Sequence, residues 1–361
     1  MRSQVWITAF LLGATVGSAA CATLGARSRS DEAKAARHQA IADAELWRHS
    51  DIPSINVKLG PRVKGALPFR AVVPCDYVDK ALEGASPKFA CVLRDGDEVK
   101  VKYGGANGEV YGEVLATRLL WALGFGADAM FPVNVVCDGC PAEFGGIQRQ
   151  GNESRFDPAV IERKMAGAEW PSKADSGWSW KELDDIAPER GGAPRAHRDA
   201  LKLLAVFMQH TDSKPQQQRI LCLDAKPRSS ERCTQPFLMI NDLGMTFGHA
   251  SHTNTANASS VNLAAWRQTP IWKDASRCIG NLPKSLTGTL DDPVISEQGR
   301  RFLAGLLAQL TDQQITDLFE VARVQLRLRN PEDLSSGFPA IDEWTAAFKQ
   351  KRDVIAGSRC P

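Results

Sequence analysis

Three short segments carry side chains whose types and spacing suit phosphate and metal chemistry. In Val99-Lys-Val-Lys-Tyr103, Lys100 and Lys102 fall on one face of a strand, and Glu113 follows at the head of a helix. A lysine held by a helical glutamate presents a fixed positive charge to phosphates; the plain alternative is a solvated ion pair. In His210-Thr-Asp-Ser-Lys-Pro-Gln-Gln-Gln218, Asp212 sits in a loop where a carboxylate could take a proton from a hydroxyl nucleophile. Lys214 could neutralise a transferring phosphate, and the amide of Gln217 could hold a metal; otherwise the segment is a loop of turn formers. In Phe237-Leu-Met-Ile-Asn-Asp-Leu-Gly244 an apolar run brings Asp242 to the end of a buried strand, and Gly244 allows a sharp turn. An aspartate there suits Mg²⁺, which takes one or two carboxylates plus phosphate oxygens. Its alternative is a capped strand end.

The elements that must position these groups divide the chain unevenly. Residues 21–55 are polar and read as a linker with a short helix over 31–47. Short strands are expected at Phe69–Val73, Lys88–Leu93, Val99–Tyr103 and Pro132–Val136, with turn signals at Asp95-Gly96 and Gly104-Gly105. Between the last two, Glu113 to Leu123 has helical periodicity, with Gly124 just past its end. Residues 141–195 read as loop, with tryptophans at 170, 178 and 180. Ala200–Gln209 is an apolar helix, Arg219–Leu223 and Phe237–Ile240 are strands, and helices follow near 296–310, 312–328 and 339–356. Thr311 and Gln314 form a capping box at the start of the middle one.

Composition removes several classes. The 361 residues are 43% hydrophobic and 24% charged, which excludes a disordered chain or a collagen-like repeat. A formal net charge of +2 gives no case for nucleic acid. Met1 and Arg2 precede an apolar run, Val5–Ala20, that ends in small residues, as a secretory signal peptide does. Uncleaved, the same segment would anchor the chain to a membrane, and the basic residues after it (Arg27, Arg29, Lys34, Arg37) would favour a cytoplasmic body. Apart from Cys21, eight cysteines remain, an even number that suits disulfides in an exported chain. Cys222 with Cys233 across a turn and Cys75 with Cys91 are natural pairs, though buried thiols also fit. Cys137-Asp-Gly-Cys140 reads as a local disulfide or plain thiols before a redox pair or half a zinc site. His249 and His252 follow the Asp242 segment and could touch a ligand, and the tryptophans could form a stacking surface or pack inside.

The order Lys102, Glu113, Asp212-x-Lys214-x-x-Gln217, a hairpin, then Asp242-Leu-Gly244 resembles the protein-kinase-like fold in its atypical branch. His210-Thr-Asp212 is similar to the His-Arg-Asp loop of protein kinases, with Gln217 at the place of their metal-binding Asn and Asp242-Leu-Gly244 at that of their Asp-Phe-Gly. The likeness is to HipA-type kinases, phosphatidylinositol kinases and the secretory-pathway kinases of the Golgi casein kinase group, and the wording of the motifs to exported bacterial kinase-like proteins.

That resemblance implies an α+β, two-lobed fold, with a small β-rich N-lobe over 56–140 and a larger, mainly helical C-lobe over 141–361, after a signal peptide or anchor (1–22) and a linker (23–55). It implies ATP with Mg²⁺ or Mn²⁺ and transfer to a hydroxyl on a protein or small-molecule acceptor. Lys102, held by Glu113, would contact the nucleotide phosphates. Asp212 would be the base, assisted by Lys214, and Gln217 and Asp242 would hold the metal. Three departures keep a second reading open, an exported pseudokinase that binds without turnover. Leu59–Gly65 is the one candidate for a glycine-rich loop, Gln replaces Asn at 217, and an exported chain meets little ATP.

Overall fold

Strand β3 (Glu98–Tyr103) alternates apolar and charged residues through Lys102, whereas β1 (Val72–Val78) and β2 (Lys88–Leu93) are mostly apolar. In the computed structural model, which describes residues 31–145, 148–170, 177–224, 233–248, 260–327 and 339–361, they join a six-stranded sheet of order β3-β2-β1-β5-β7-β6. Its other members are β5 (Ala129–Asp138), β6 (Gln148–Gln150) and β7 (Glu153–Arg163). A further antiparallel pairing of β3 with β7, Val101 opposite Ile161, closes the sheet into a ring. Closure removes the exposed edges of the principal strands. The enclosed core includes Val73, Phe89, Val101, Phe131, Phe156 and Ile161.

Strand β7 is the largest departure from expectation, since residues 141–195 read as loop. Its charged residues and Pro158 argue against a central strand on sequence alone. It pairs with β5 over its whole length, and the register shifts between Val133 and Val135. The sheet therefore runs on to Arg163, past the division expected at residue 140. The first strand also starts later than the expected Phe69–Val73.

Helix α2 (Glu109–Ala122) follows β3 and is buried nearly all round, as its mostly apolar sequence requires. Gly124 ends it with φ 87°, a left-handed conformation that glycine adopts without a Cβ penalty. A second sheet has the order β4-β10-β9-β8, from β4 (Gly126–Ala127), β8 (Ala168–Glu169), β9 (Gln218–Cys222) and β10 (Pro236–Ile240). Helix α3 (Arg195–Met208) leads towards β9. The rest is helical: α4 (Leu263–Gln268), a small hairpin of β11 (Trp272–Asp274) and β12 (Ile279–Gly280), then α5 (Glu297–Leu307), α6 (Asp312–Ala322) and α7 (Ile341–Gly357). Thr311 and Gln314 form the expected capping box at the start of α6. A larger apolar core joins α2 to these helices.

The chain divides into a first unit, residues 1–39, and a second, residues 40–361. Helix α1 covers residues 31–42, and the described part of the first unit, residues 31–39, is helical. Within the second unit a β-rich portion precedes a mainly helical one, the coarse order expected. The Val5–Ala20 run lies outside the described residues. Among those described, no helix is long and apolar enough to cross a membrane.

All eight cysteines other than Cys21 are paired: Cys75–Cys91, Cys137–Cys140, Cys222–Cys233 and Cys278–Cys360. The Cys137-x-x-Cys140 motif is thus a local bridge, and Cys278–Cys360 ties the C-terminus to the β11–β12 hairpin. Four disulfides fit an oxidising compartment.

Candidate functional site

Lys102 is the centre of the site. It lies on β3 and is only 3% exposed. Its ammonium donates to Glu113 Oε1, a very close contact, and to Glu109 Oε2 at 2.6 Å. The Asp242 carboxylate stands 3.5 Å away. Glu109 and Glu113 reach the same lysine because residues four apart on a helix share a face. Asn107 stands two residues before that helix: its Oδ1 accepts from the Glu109 N–H at 3.2 Å, and its amide donates to the Tyr103 carbonyl at 3.1 Å. These bonds tie the end of β3 to the first turn of α2. Glu109 was not foreseen because the expected helix began at Glu113. The i, i+4 spacing of the two glutamates was the signal.

Asp242 is carried to this point by β10, whose five residues are all buried. It adopts φ 51°, and the turn behind it packs tightly on α2. A Cβ on Gly244 would lie 2.4 Å from Glu109 Cγ, and one on Gly112 would lie 2.5 Å from the Gly244 carbonyl oxygen. Glycine at both positions lets the Asp-Leu-Gly turn touch the helix.

The second group stands on the loop between α3 and β9. Lys214 Nζ lies 3.3 Å from Asp212 Oδ2, and the Gln217 amide donates to the same oxygen at 3.3 Å. Gln217 thus points at Asp212. Its carbonyl accepts from the Asn241 N–H at 2.8 Å, which fastens this loop to the Asp242 turn. His210 ends the helix fully buried, with neither ring nitrogen hydrogen-bonded. Burial lowers its pKa to about 4.

Both groups border one cleft of about 640 Å³, whose lining includes Lys100, Glu109, Asp212, Lys214, Gln217 and Asp242. Lys102 and Glu113 lie behind that lining. Of the sequence-predicted residues, Lys102, Glu113 and Asp242 form one cluster and Asp212, Lys214 and Gln217 another. Lys100, on the same face as Lys102, pairs with Glu162 instead. Two walls were not foreseen: Glu83–Ser86, from the β1–β2 connection, and Ser285–Thr287, after β12. The Leu59–Gly65 segment is not in the lining. Its glycines face other partners, since a Cβ on Gly60 would strike Arg118 and one on Gly65 would strike Arg163. Glu83–Ser86 lines the cleft instead, and Gly84 within it has φ 93°.

One ammonium facing three carboxylates leaves surplus negative charge. Burial, with Asp242 and Glu109 nearby, pushes the Glu113 carboxyl up to about 8 against the pull of Lys102. Burial also works against a charged Lys102, yet Glu113, Asp242 and Glu109 outweigh it and hold the lysine well above its ordinary value. Burial would raise Asp242 too, but Lys102 keeps it below the usual carboxylate range. Burial raises Asp212, with Lys214 opposing, a direction that suits a group meant to accept a proton. Oxygens of Glu109, Glu113 and Asp242 lie within 4.8 Å of one another, and Glu113 Oε2 is buried without a partner. That donor set fits a hard divalent cation.

The other sequence candidates fall elsewhere. Trp178 and Trp180 are buried against each other with ring centroids 5.3 Å apart, and Trp266 is buried against Trp344, so they pack the interior rather than offer a stacking surface. His249 and His252 lie outside the described residues.

No protein family matches the sequence, and no curated protein matches it. Among solved structures the chain is similar to the Helicobacter pylori proinflammatory kinase CtkA, at 11% identity over 76% of this chain and 96% of that one, with a TM-score of 0.37. It is similar to the Golgi casein kinase at 11% identity over 86% of this chain and 75% of that one, TM-score 0.33. The open conformation of CtTel1 follows at 11% identity and TM-score 0.28, over 76% of this chain and 11% of that one. The first two are distant likenesses to kinases, and at that distance none of the three carries an activity across.

Proposed function

We propose that the chain is an atypical kinase-like phosphotransferase that uses ATP with Mg²⁺ or Mn²⁺ and acts on a hydroxyl of a protein or small-molecule acceptor. The observation that carries this reading is the cleft itself. A lysine fixed between helical glutamates and the Asp242 carboxylate backs one side, and a carboxylate with an adjoining lysine lines the other. Phosphoryl transfer needs positioning and charge neutralisation more than covalent chemistry, and these side chains supply both. Asp212 accepts the proton of the attacking hydroxyl, and Lys214 offsets charge on the phosphoryl group in transit. Lys102 contacts the nucleotide phosphates once Glu109 yields part of its hold. Asp242, with Glu109 and Glu113 or Gln217, would hold the metal ion, which would screen the phosphate charges. The disulfides support an exported site of action, with the N-terminal segment as a cleaved signal or an anchor.

One observation favours a second reading, a non-catalytic nucleotide-binding or scaffold module. Lys102 is 3% exposed and does not reach the cleft lining. Transfer of label from ATP by the full-length chain, with either metal, separates the two. Label from the γ position that is lost in Asp212→Ala and Asp242→Ala supports the kinase, and label from the α position supports nucleotidyl transfer. No label and no metal-dependent nucleotide binding would overturn the enzyme reading.

A further inference from the structure

Directly opposite Lys102, across the antiparallel pairing of β2 with β3, stands Lys88. Residues opposed in this way put their side chains on one face of the sheet, and like charges so placed cost stability. Lys102 offsets that cost with the three carboxylates around it. Lys88 forms no ion pair among the described residues, and unlike Lys102 it lines the cleft.

The other cations that line the cleft are each held by a carboxylate: Lys100 by Glu162, Lys214 by Asp212 and Arg219 by Glu169. Among the described residues the Lys88 ammonium has one partner, Ser86 Oγ, at a long 3.4 Å. Ser86 Oγ in turn donates to Glu109 Oε2 at 2.8 Å, the oxygen that also accepts from Lys102. Glu109 thus reaches Lys88 only through a hydroxyl. An ammonium carries three donors, so Lys88 has bonds left to offer. Its side chain is half-buried. Gly84 in the adjoining wall leaves it room, since a Cβ there would lie 2.6 Å from the Lys88 Nζ. A lysine kept for solubility would stand in solvent, and one kept for stability would be paired; Lys88 is half-buried beside another lysine.

We propose that Lys88 is a phosphate-contacting residue of the cleft, meeting the phosphates of a metal-bound nucleotide while Lys102 is still held by its carboxylates. The choice of ligand rests on the phosphotransferase reading of the cleft, and the contact on the unpaired ammonium. Glu109 and Asp242 line the same cleft and would repel a bare anion. A metal-bound polyphosphate suits the mixture, because the cation meets the carboxylates while the outer oxygens accept charge-assisted bonds from the lysine. Lys102 then acts from behind Lys88, holding Glu109, whose Oε2 fixes Ser86 beside the second ammonium.

Calorimetric titration of the full-length chain with ATP and with inorganic tripolyphosphate, each with Mg²⁺, tests this. Both should bind, and Lys88→Gln should weaken both at least about tenfold, the worth of one charge-assisted hydrogen bond. Lys88→Arg, which keeps the charge, should retain most of the affinity. Lys80→Ala, at an exposed lysine paired with Glu98 outside the cleft, should change neither titration. Thermal melts verify that the variants stay folded; with the repulsion from Lys102 relieved, Lys88→Gln should be no less stable than the parent. Equal affinities in Lys88→Gln and the parent would overturn the role of Lys88 and leave the phosphotransferase reading standing. Tripolyphosphate binding that depends on Lys88, with no binding of ATP, would keep the contact and remove the nucleotide. Binding of neither ligand would overturn both.

Discussion

The Asp242 carboxylate stands 3.5 Å from the Lys102 ammonium and reaches it from a left-handed backbone, φ 51°. Non-glycine residues in that region carry a cost, and aspartate and asparagine bear it most readily. Asp242→Asn therefore keeps the turn while it removes one of three carboxylates around a single lysine. It should fold with a stability within about 1 kcal/mol of the parent, or above it, since like-charge repulsion in the cluster falls. It should nonetheless lose metal-dependent nucleotide binding. Urea denaturation beside nucleotide titration gives both readouts; a loss of stability with binding intact would mean that Asp242 is structural.

Gly112 and Gly244 set how near the aspartate comes to the helix. Gly112→Ala would normally help an α-helix, by about 1 kcal/mol. Here its Cβ would meet the Gly244 carbonyl oxygen at 2.5 Å, a backbone atom that cannot swing aside. Overpacking should outweigh propensity, for a net loss of about 1–2 kcal/mol, and should displace Asp242 from Lys102. Gly305→Ala, on α5 with open space around it, serves as the control and should be neutral or stabilising.

The candidate site was legible wherever chemistry and periodicity agreed. Lys102 on a strand, Asp242 after four apolar residues and Asp212 after an apolar helix all emerge from local pattern. Strand β7 did not, because its pairing with β3 and β5 is long-range and its own sequence, with Pro158 and charges, contradicts it. Glu109 was missed for a smaller reason, a helix start placed at Glu113. The cleft wall at Glu83–Ser86 has no local signature, because only the antiparallel pairing of β1 with β2 brings their connection to the cleft.

His210 offers a second pH signature, set by burial with Asp242 pulling weakly the other way. Its folded-state pKa lies at about 4, against 6.5 for the free side chain, because burial disfavours the charged form. Between those values the unfolded chain binds a proton that the folded chain does not, so stability rises with pH across the window. The contribution is complete above pH 6.5 and is lost as the pH falls towards 4, by up to about 3 kcal/mol. His210→Phe should flatten that part of the stability–pH curve. A curve of unchanged slope would show that His210 finds a proton acceptor in the folded chain.

The four disulfides should differ in worth by the chain each one closes. Cys278–Cys360 spans 82 residues, whereas Cys137–Cys140 spans 3. On the loop-entropy account the long bridge constrains the unfolded chain by about 4–5 kcal/mol. The long bridge also fixes the terminal segment that follows α7, where Cys360 N–H donates to Glu297 at 2.9 Å. Cys278→Ser/Cys360→Ser should therefore lower the denaturation midpoint far more than Cys137→Ser/Cys140→Ser. The short bridge closes too small a loop to matter much through entropy, but both its cysteines are buried in the sheet core, so its loss should appear chiefly as a packing defect. Equal losses in the two double variants would mean that packing around the sulfurs, rather than chain entropy, sets the contribution of these bridges.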